Sequence, residues 1–388
     1  MTQITTPSDG IGFTLTAEQK MLQAMAREFT RNEIIPVAAQ YDKNHEFPWP
    51  IIRKAQQLGL TVMTIPKIYG GSGLSMVEEC IVTEELAYGC SGMSTSITLN
   101  GLAVLPLLLA GNEQQKRTYL GRLVKGEMAA YCLSEAAAGS DVVGIQTRAQ
   151  REGDTYVLNG SKTFITNASV ANWFSVFAYT TPEAKYKGMS VFVVDRQTPG
   201  VTVAKPFDKM GQRASDTAEV IFENVRIPAA NLIGKEGEGF MIAMQVFDRS
   251  RVPTAAGAVG VARRALDESM RFARQRQTMG KPIWQHQAVG HIIADMAMHI
   301  DAARLLVWQA AAACDRDQPD PMKSAFAKAF AADIAMKVCT DAVQVFGGYG
   351  FIEEYPVAKL MRDVKIFQIY EGTSQIQRNI IARELFRE

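Results

Sequence analysis

The sequence predicts an α+β protein of three successive units: a helical segment, an all-β segment and a helical bundle. Two changes of texture along the 388 residues carry that prediction. Up to about Lys125 apolar residues recur at helical spacing, and from near Met128 to about Gly234 short β-branched and aromatic runs divided by turn residues replace them. From about Phe240 the helical period returns and holds almost to the end. Strands with no helices between them point to an antiparallel sheet or barrel and away from alternating βαβ units. A chain of this length has room for a large interior shared by two or three such units.

In chain order, Thr16 precedes AEQKMLQAMAREF, whose apolar residues share one face, so Thr16 is the expected N-cap of a first helix. Further helices are expected at PWPIIRKAQQLGL, SMVEECIVTEELAYG, STSITLNGLAVLPLLLAG and NEQQKRTYLGRLVKG. The most apolar run, GLAVLPLLLAG at 101–111, is shorter than a bilayer span and carries Pro106, which makes it a buried helix and not a membrane span. Strands are expected in GDTYVLNGSKTFIT, NWFSVFAYT, GMSVFVVD, GVTVAKPF and TAEVIFENVRIP, with tight turns at Gly153-Asp154 and Asn159-Gly160. Two long apolar helices, HQAVGHIIADMAMHIDAARLLVWQAAAA and MKSAFAKAFAADIAMKVCTDAVQVFGG, anchor the expected bundle. The units divide at 1–127, 128–235 and 236–388.

Composition removes several function classes. With 41 basic and 40 acidic side chains the formal charge is +1, too weak a field to gather nucleic acid, so an anionic ligand must be held by local Arg, Lys or backbone N–H groups. Cys80, Cys90, Cys132, Cys314 and Cys339 are scattered, without a Cys-x-x-Cys pair, which argues against a disulfide framework and a zinc site and fits a reducing cytoplasm. MTQITTPSDGIGFTLTAEQ lacks the features of a signal or transit peptide and reads as a mature start. There is no GxxxxGK[ST] loop, no HExxH and no GxSxG elbow, so kinase and hydrolase readings lose support. The glycine clusters at 70–73, 234–239 and 347–350 lack dinucleotide-fold spacing and read as turns. His45, His286, His291 and His299 share no metal-like spacing, and no metal is expected.

Two segments combine small and polar groups with apolar walls. Tyr131 to Asp141 (YCLSEAAAGSD) offers approachable N–H groups and hydroxyls suited to a polar cofactor ring or diphosphate. Ile369 to Gln377 (IYEGTSQIQ) sets Glu371 beside Gly372, just before a helix whose free N–H groups open near Thr373. Alone, Glu371 reads as a first-turn acid at a helix N-terminus.

At these segments the sequence resembles the acyl-CoA dehydrogenase family, its medium-chain and short-chain enzymes most. The likeness spans essentially the whole chain: CLSEAAAGSDVVG at 132–144, KTFITN at 162–167, MGQRASDT at 210–217, FDRSR at 247–251, RQTMGKP at 276–282, QVFGGYGFIEEYPVAKLMRD at 344–363 and IYEGTSQIQ at 369–377. The resemblance implies an N-terminal helical domain, a central antiparallel β-barrel and a C-terminal four-helix bundle, in a homotetramer with FAD between barrel, bundle and a neighbouring subunit. By motif match, Tyr131, Leu133, Ser134, Gly139 and Ser140 line the flavin and the start of the CoA path, while Phe164 and Thr166 meet the ring. Arg276, Thr278, Gln287 and the loop from Gln344 through Gly347 and Gly348 match positions that a second subunit lends to the adenosine diphosphate end; Thr373 and Gln375 return to the cofactor from the first. Asp248 and Arg251 match contacts to the CoA chain, and the thioester arm passes Ser140 and Gly372.

The resemblance also implies a mechanism. Glu371 removes the α-proton of an acyl-CoA thioester while flavin N5 takes the β-hydride, giving a trans-2-enoyl-CoA, and electrons leave to electron-transferring flavoprotein. A dry pocket raises the Glu371 pKa and improves the base. Some relatives carry the base one residue before the FDRSR terminal Arg, but Ser250 occupies that position here. The chain departs from the family pattern at Ala136 and Ala137, where Pro and Gly are usual, at Phe164, where Trp is common, and at Thr98 and Leu99, where an acid and a Gly are common. The last two sit in the segment expected to line the acyl end, and short to medium straight chains are the expected substrates.

Overall fold

The computed structural model describes residues 14–387, so the part of the expected mature start at 1–13 lies outside them. The first unit comprises α1 (Ala17–Phe29), α2 (Ala38–Asn44), α3 (Trp49–Gln57), α4 (Met76–Gly89), α5 (Ser91–Ala110) and α6 (Glu113–Val124). Thr16, Ser75 and Asn112 start α1, α4 and α6 with reciprocal capping boxes to Gln19, Glu78 and Gln115. Each cap is worth about 1 kcal/mol by satisfying N–H groups that the helix cannot. Helix α5 has the length and apolarity of a bilayer span, but half of that stretch is buried in the protein. Its Asn100 accepts the Ala129 N–H at 2.9 Å, and its Ala103 carbonyl accepts the Ser175 hydroxyl at 2.8 Å. It is a buried core helix, as its Pro-interrupted apolar run predicts.

The second unit is one sheet of β1 (Ala129–Cys132), β2 (Arg148–Glu152), β3 (Thr155–Thr166), β4 (Trp173–Tyr179), β5 (Met189–Asp195), β6 (Val201–Val203), β7 (Thr217–Pro228) and β8 (Leu232–Ile233). Its order is β6-β7-β3-β2-β4-β5-β8, with β1 paired to β4 off that path. The barrel expected from the family resemblance is therefore not formed: the path is open, ending on the three-residue β6 and the two-residue β8. Nor is the sheet wholly antiparallel, because β1 and β2 share one edge of β4 and run parallel to it. Asn159-Gly160 is not a turn either. It is a register shift inside β3, where Gly160 (φ 147°) crosses so close to Thr147 that a Cβ would stand 2.5 Å from its hydroxyl. The Asn159 side chain accepts the Asn224 N–H at 2.8 Å, bridging β3 to β7 where the ladder is interrupted.

The third unit contains α7 (Gly239–Gln275), a short hairpin of β9 (Gln277–Thr278) and β10 (Lys281–Pro282), α8 (Gln287–Asp315), α9 (Pro321–Phe346), α10 (Pro356–Val364) and α11 (Ser374–Leu385). Helix α9 packs against α7, α8 and α11, and α10 packs against α9 and α7. Alanines 255, 258, 262 and 265 of α7 meet alanines 327, 331 and 335 of α9 in the buried core. Small side chains let the helices approach closely, and a Cβ on Gly260 would lie 2.2 Å from the Glu84 carbonyl of α4. The first and third units are joined by largely buried ion pairs: Arg263 of α7 bonds Glu84 (2.8 Å) and Glu85 (2.6 Å) of α4, and Arg304 of α8 bonds Glu84 (3.1 Å); within the first unit, the more exposed Arg27 of α1 also bonds Glu85 (2.8 Å).

Candidate active site

Between α10 and α11 the chain makes a tight reversal through Tyr370, Glu371 and Gly372. Glu371 (φ 55°) and Gly372 (φ 84°) are consecutive residues in the left-handed region, natural for glycine and costly for glutamate by about 1 kcal/mol or more. Thr373 then caps α11, its hydroxyl accepting the Ile376 N–H at 3.1 Å. The turn is held by side chains from two helices. Gln377 Nε2 of α11 donates to the carbonyls of Glu371 (3.1 Å) and Gly372 (2.9 Å), and Lys328 Nζ of α9 donates to the Gly372 carbonyl. Among the described residues no acceptor engages the Glu371 N–H.

The Glu371 carboxylate accepts the Ser250 hydroxyl of α7 at 2.5 Å. Burial pushes its pKa above the usual carboxylate range, while the Ser250 hydrogen bond and the Arg251 and Lys328 charges pull it partly back. Tyr131, at the end of β1, faces the same carboxylate; its phenol is buried without a partner and pushed far up by burial and then by Glu371. Tyr370 reaches Gln212 Nε2 at 3.5 Å, and Gln212 is fixed by Thr95 Oγ1 (3.2 Å) and by its own N–H on Asp363 (2.7 Å).

Directly after Ser250 on α7, Arg251 is only 4% exposed, pairs with Asp248 at 3.1 Å and lies 5.5 Å over the Phe247 ring. Its Nε is buried without an acceptor. This is not a solvated helix charge: burial lowers the Arg251 pKa and raises that of Asp248 against their mutual attraction. The free guanidinium N–H invites an anionic or carbonyl acceptor.

The loop after β1 hangs on a buried ion pair. Lys162 of β3, fully buried, donates to Glu135 (2.7 Å) and to the Leu133 carbonyl (3.1 Å), while Glu135 also accepts the Thr147 hydroxyl (2.6 Å) and N–H (3.0 Å). Desolvation brings the Lys162 pKa down to about 8 against the pull of Glu135. The Ser134 carbonyl accepts the Thr163 N–H at 2.9 Å, leaving Ser134 half-buried and Gly139 and Ser140 exposed. With Ala136 and Ala137 in place the loop still closes, through paired Glu135 and Ala138 N–H···O bonds of 3.0 Å. Beside it, Phe164 breaks the β3 ladder with φ 58°, is 66% exposed and lies tilted against Phe207, ring centres 5.5 Å apart. Thr166 follows, paired with Thr217 of β7.

A separate recess of about 470 Å³ is lined by Arg276, Thr278, Gln344, Gly347 and Gly348 together with Phe272 and Tyr349. Arg276 lies 5.5 Å over the Tyr349 ring and Thr278 bonds His286 at 2.9 Å. Gln287 opens α8 just outside this lining, and Gln375 is exposed on α11. The sequence-derived residues thus fall into a group around Glu371 (Gly372, Thr373, Arg251, Asp248 and Tyr131), a loop group (Leu133, Ser134, Gly139, Ser140, Phe164 and Thr166) and the recess. Lys328 escaped sequence reading, and Gln377, Lys162 and Gln212 were given no role of their own within the motifs that contain them. Lys328 carried a faint signal as the lone charge in SAFAKAFAA.

These features fit a flavin dinucleotide. Exposed Phe164 offers an aromatic wall, no atom stands within 4 Å of a Cβ built on Gly139, Gly347 or Gly348, and the Tyr131 phenol lacks a partner. Arg276 brings a cation to the recess for a diphosphate.

The family models described as Acyl-CoA dehydrogenase, N-terminal domain, middle domain and C-terminal domain match residues 16–127, 130–225 and 237–386. The chain is 43% identical over 379 residues to a probable medium-chain specific acyl-CoA dehydrogenase 2 of Caenorhabditis briggsae, covering 97% of this chain and 92% of that protein. Among solved structures, butyryl-CoA dehydrogenase from Megasphaera elsdenii superposes with a TM-score of 0.95 at 39% identity, over 97% of this chain and 100% of that one. A chain from the work on the electron transferring flavoprotein of Acidaminococcus fermentans gives a TM-score of 0.95 at 40% identity, with the same coverage.

Proposed function

The chain belongs to the acyl-CoA dehydrogenase family and is an oxidoreductase of that class, and from that premise we propose that it desaturates an acyl-CoA between Cα and Cβ, with Glu371 as the base. The observation that carries this reading is the Glu371 carboxylate itself: half-buried, raised in pKa and presented on a left-handed turn beside an unengaged backbone N–H.

A thioester α-proton is weakly acidic, so a carboxylate removes it only where the enolate-like charge is stabilised as it forms. The raised pKa supplies the driving force for proton transfer. The Glu371 N–H is the chain's own donor for the thioester oxygen. Arg251, with its unsatisfied Nε, and Asp248 hold the CoA arm, which runs past Ser140 and Gly372. Tyr131, Leu133, Ser134, Gly139, Ser140, Phe164, Thr166, Thr373 and Gln375 hold FAD in one subunit, and Arg276, Thr278, Gln287, Gln344, Gly347 and Gly348 come from a neighbour within a homotetramer. FAD, when bound, supplies the hydride acceptor. Buried Lys162 and Glu135 keep the cofactor loop in shape.

Short- to medium-chain thioesters are the proposed substrates, supported by likeness to the butyryl-CoA and medium-chain enzymes, and electron-transferring flavoprotein is the proposed acceptor. Mixing the anaerobic flavoprotein with electron-transferring flavoprotein and butyryl-CoA or octanoyl-CoA tests both. Reduction of the second flavin that requires thioester and both proteins is the expected result.

A further inference from the structure

Lys328 lies in the first third of α9 among the buried alanines 325, 327, 329, 331 and 332, and its own side chain is fully buried. Burying an ammonium ion costs several kcal/mol unless its surroundings compensate. Among the described residues its one hydrogen-bond acceptor is a backbone carbonyl, that of Gly372, and no carboxylate stands within ion-pair distance. The charged groups facing it are Glu371 from the turn before α11, Arg251 from α7 and Asp333 from its own helix. Asp333 is itself engaged by Arg378, Gln368 and Ser374. A hydrocarbon of similar length would fill this core without the penalty, so the placement of the ammonium is explained by what it touches.

What it touches is the turn that presents the base. Glu371 and Gly372 both hold positive φ, and a Cβ on Gly372 would stand 2.6 Å from Gln377 Nε2. The Gly372 carbonyl receives two side-chain donors, one from α9 and one from α11. We propose that Lys328 is a positioning residue for the base: its ammonium pins the Gly372 carbonyl, fixes the left-handed turn that aims Glu371, and sets a positive charge facing the Glu371 carboxylate. This deepens the assignment of Glu371 and rests on it. The groups act in opposition on Lys328, where burial lowers its pKa to about 8, Glu371 and Asp333 favour its charge and Arg251 disfavours it.

Two substitutions separate the roles. Lys328→Met removes donor and charge at nearly constant volume; Lys328→Gln keeps a donor without the charge. Two readouts are taken on the flavin-loaded protein: the anaerobic rate of flavin bleaching by butyryl-CoA or octanoyl-CoA, and the infrared titration of the Glu371 carboxyl. The titration is isolated by subtracting the same variant carrying Glu371→Gln, and needs no turnover. In Lys328→Met the bleaching rate is expected to fall by about 10- to 100-fold, the effect of a small misplacement of a catalytic group. Its carboxyl should protonate at higher pH than in the parent, since a facing cation is gone. Lys328→Gln should recover part of the rate while keeping the higher-pH titration. Parental rate and titration in both variants overturn the proposal, and so does failure of both to fold, which would make Lys328 a support of the core alone. If no thioester bleaches the parent, the dehydrogenase reading fails, while the infrared titration still judges Lys328.

Discussion

At the scale of single residues, the chemistry turns on how the fold treats one carboxylate. Burial raises the Glu371 pKa above its unfolded value, so between the two values the native state binds more protons and stability falls as pH rises. Glu371→Gln removes that penalty. Its melting temperature is therefore expected to exceed the parent's at neutral pH, with the gap closing as pH drops through the ordinary carboxylate range; calorimetry over pH checks this. The same substitution should slow thioester-driven flavin bleaching by about 10²- to 10⁴-fold, the usual share of a general base. Ser250→Ala removes a hydrogen bond to the charged form, so the pH limb of bleaching assigned to Glu371 should move upward, which a pH–rate profile reads. Glu371, Gly372 and the Thr373 cap were legible because they are contiguous in IYEGTSQIQ. The roles of Lys328, which lies far from that segment, and of Gln377, which ends it, were not, since their work is done on backbone carbonyls, and a sequence does not display which carbonyl a side chain will meet.

At the scale of elements, the buried Lys162–Glu135 pair holds the loop after β1 in shape. Lys162→Met leaves a nearly buried carboxylate uncompensated, a change that costs about 3–5 kcal/mol. Urea unfolding should reveal that loss, with partial recovery in the double variant Lys162→Met/Glu135→Gln. Helices α1, α3 to α6, α8 and α9 were readable from periodicity, with Thr16 as a cap, α7 only as the returning helical period from about Phe240, and the strands with strong β-branched runs from their composition. Strands β1 and β2 escaped because AAYC is too short and RAQRE too polar to signal a strand; they exist because β4 and β3 offer edges to pair with. Asn159-Gly160 misled for a related reason. Its glycine serves a close backbone crossing and not a reversal, a distinction made only by Thr147, the residue just before β2.

At the scale of the whole molecule, the order of helical, β and helical units was legible, while closure of the sheet was not, since it depends on whether short terminal strands find partners. The division of candidate site residues between the Glu371 turn and the Arg276 recess leads to a prediction about assembly. If a neighbouring subunit lends Arg276 to the site, as proposed above, Glu371→Gln and Arg276→Ala should each be strongly impaired alone, and co-refolding the two should restore activity, because a mixed pair would recreate one intact site from complementary halves. The central claim is that this chain oxidises an acyl-CoA with Glu371 as its base, and it is tested most directly by anaerobic bleaching of the flavin absorbance with saturated acyl-CoAs from C4 to C16, straight and branched, beside a Glu371→Gln control. Rapid bleaching by a short- to medium-chain class, lost in the control, is the predicted result. A flavin-loaded protein that no thioester bleaches, or a control that bleaches as fast as the parent, would contradict it.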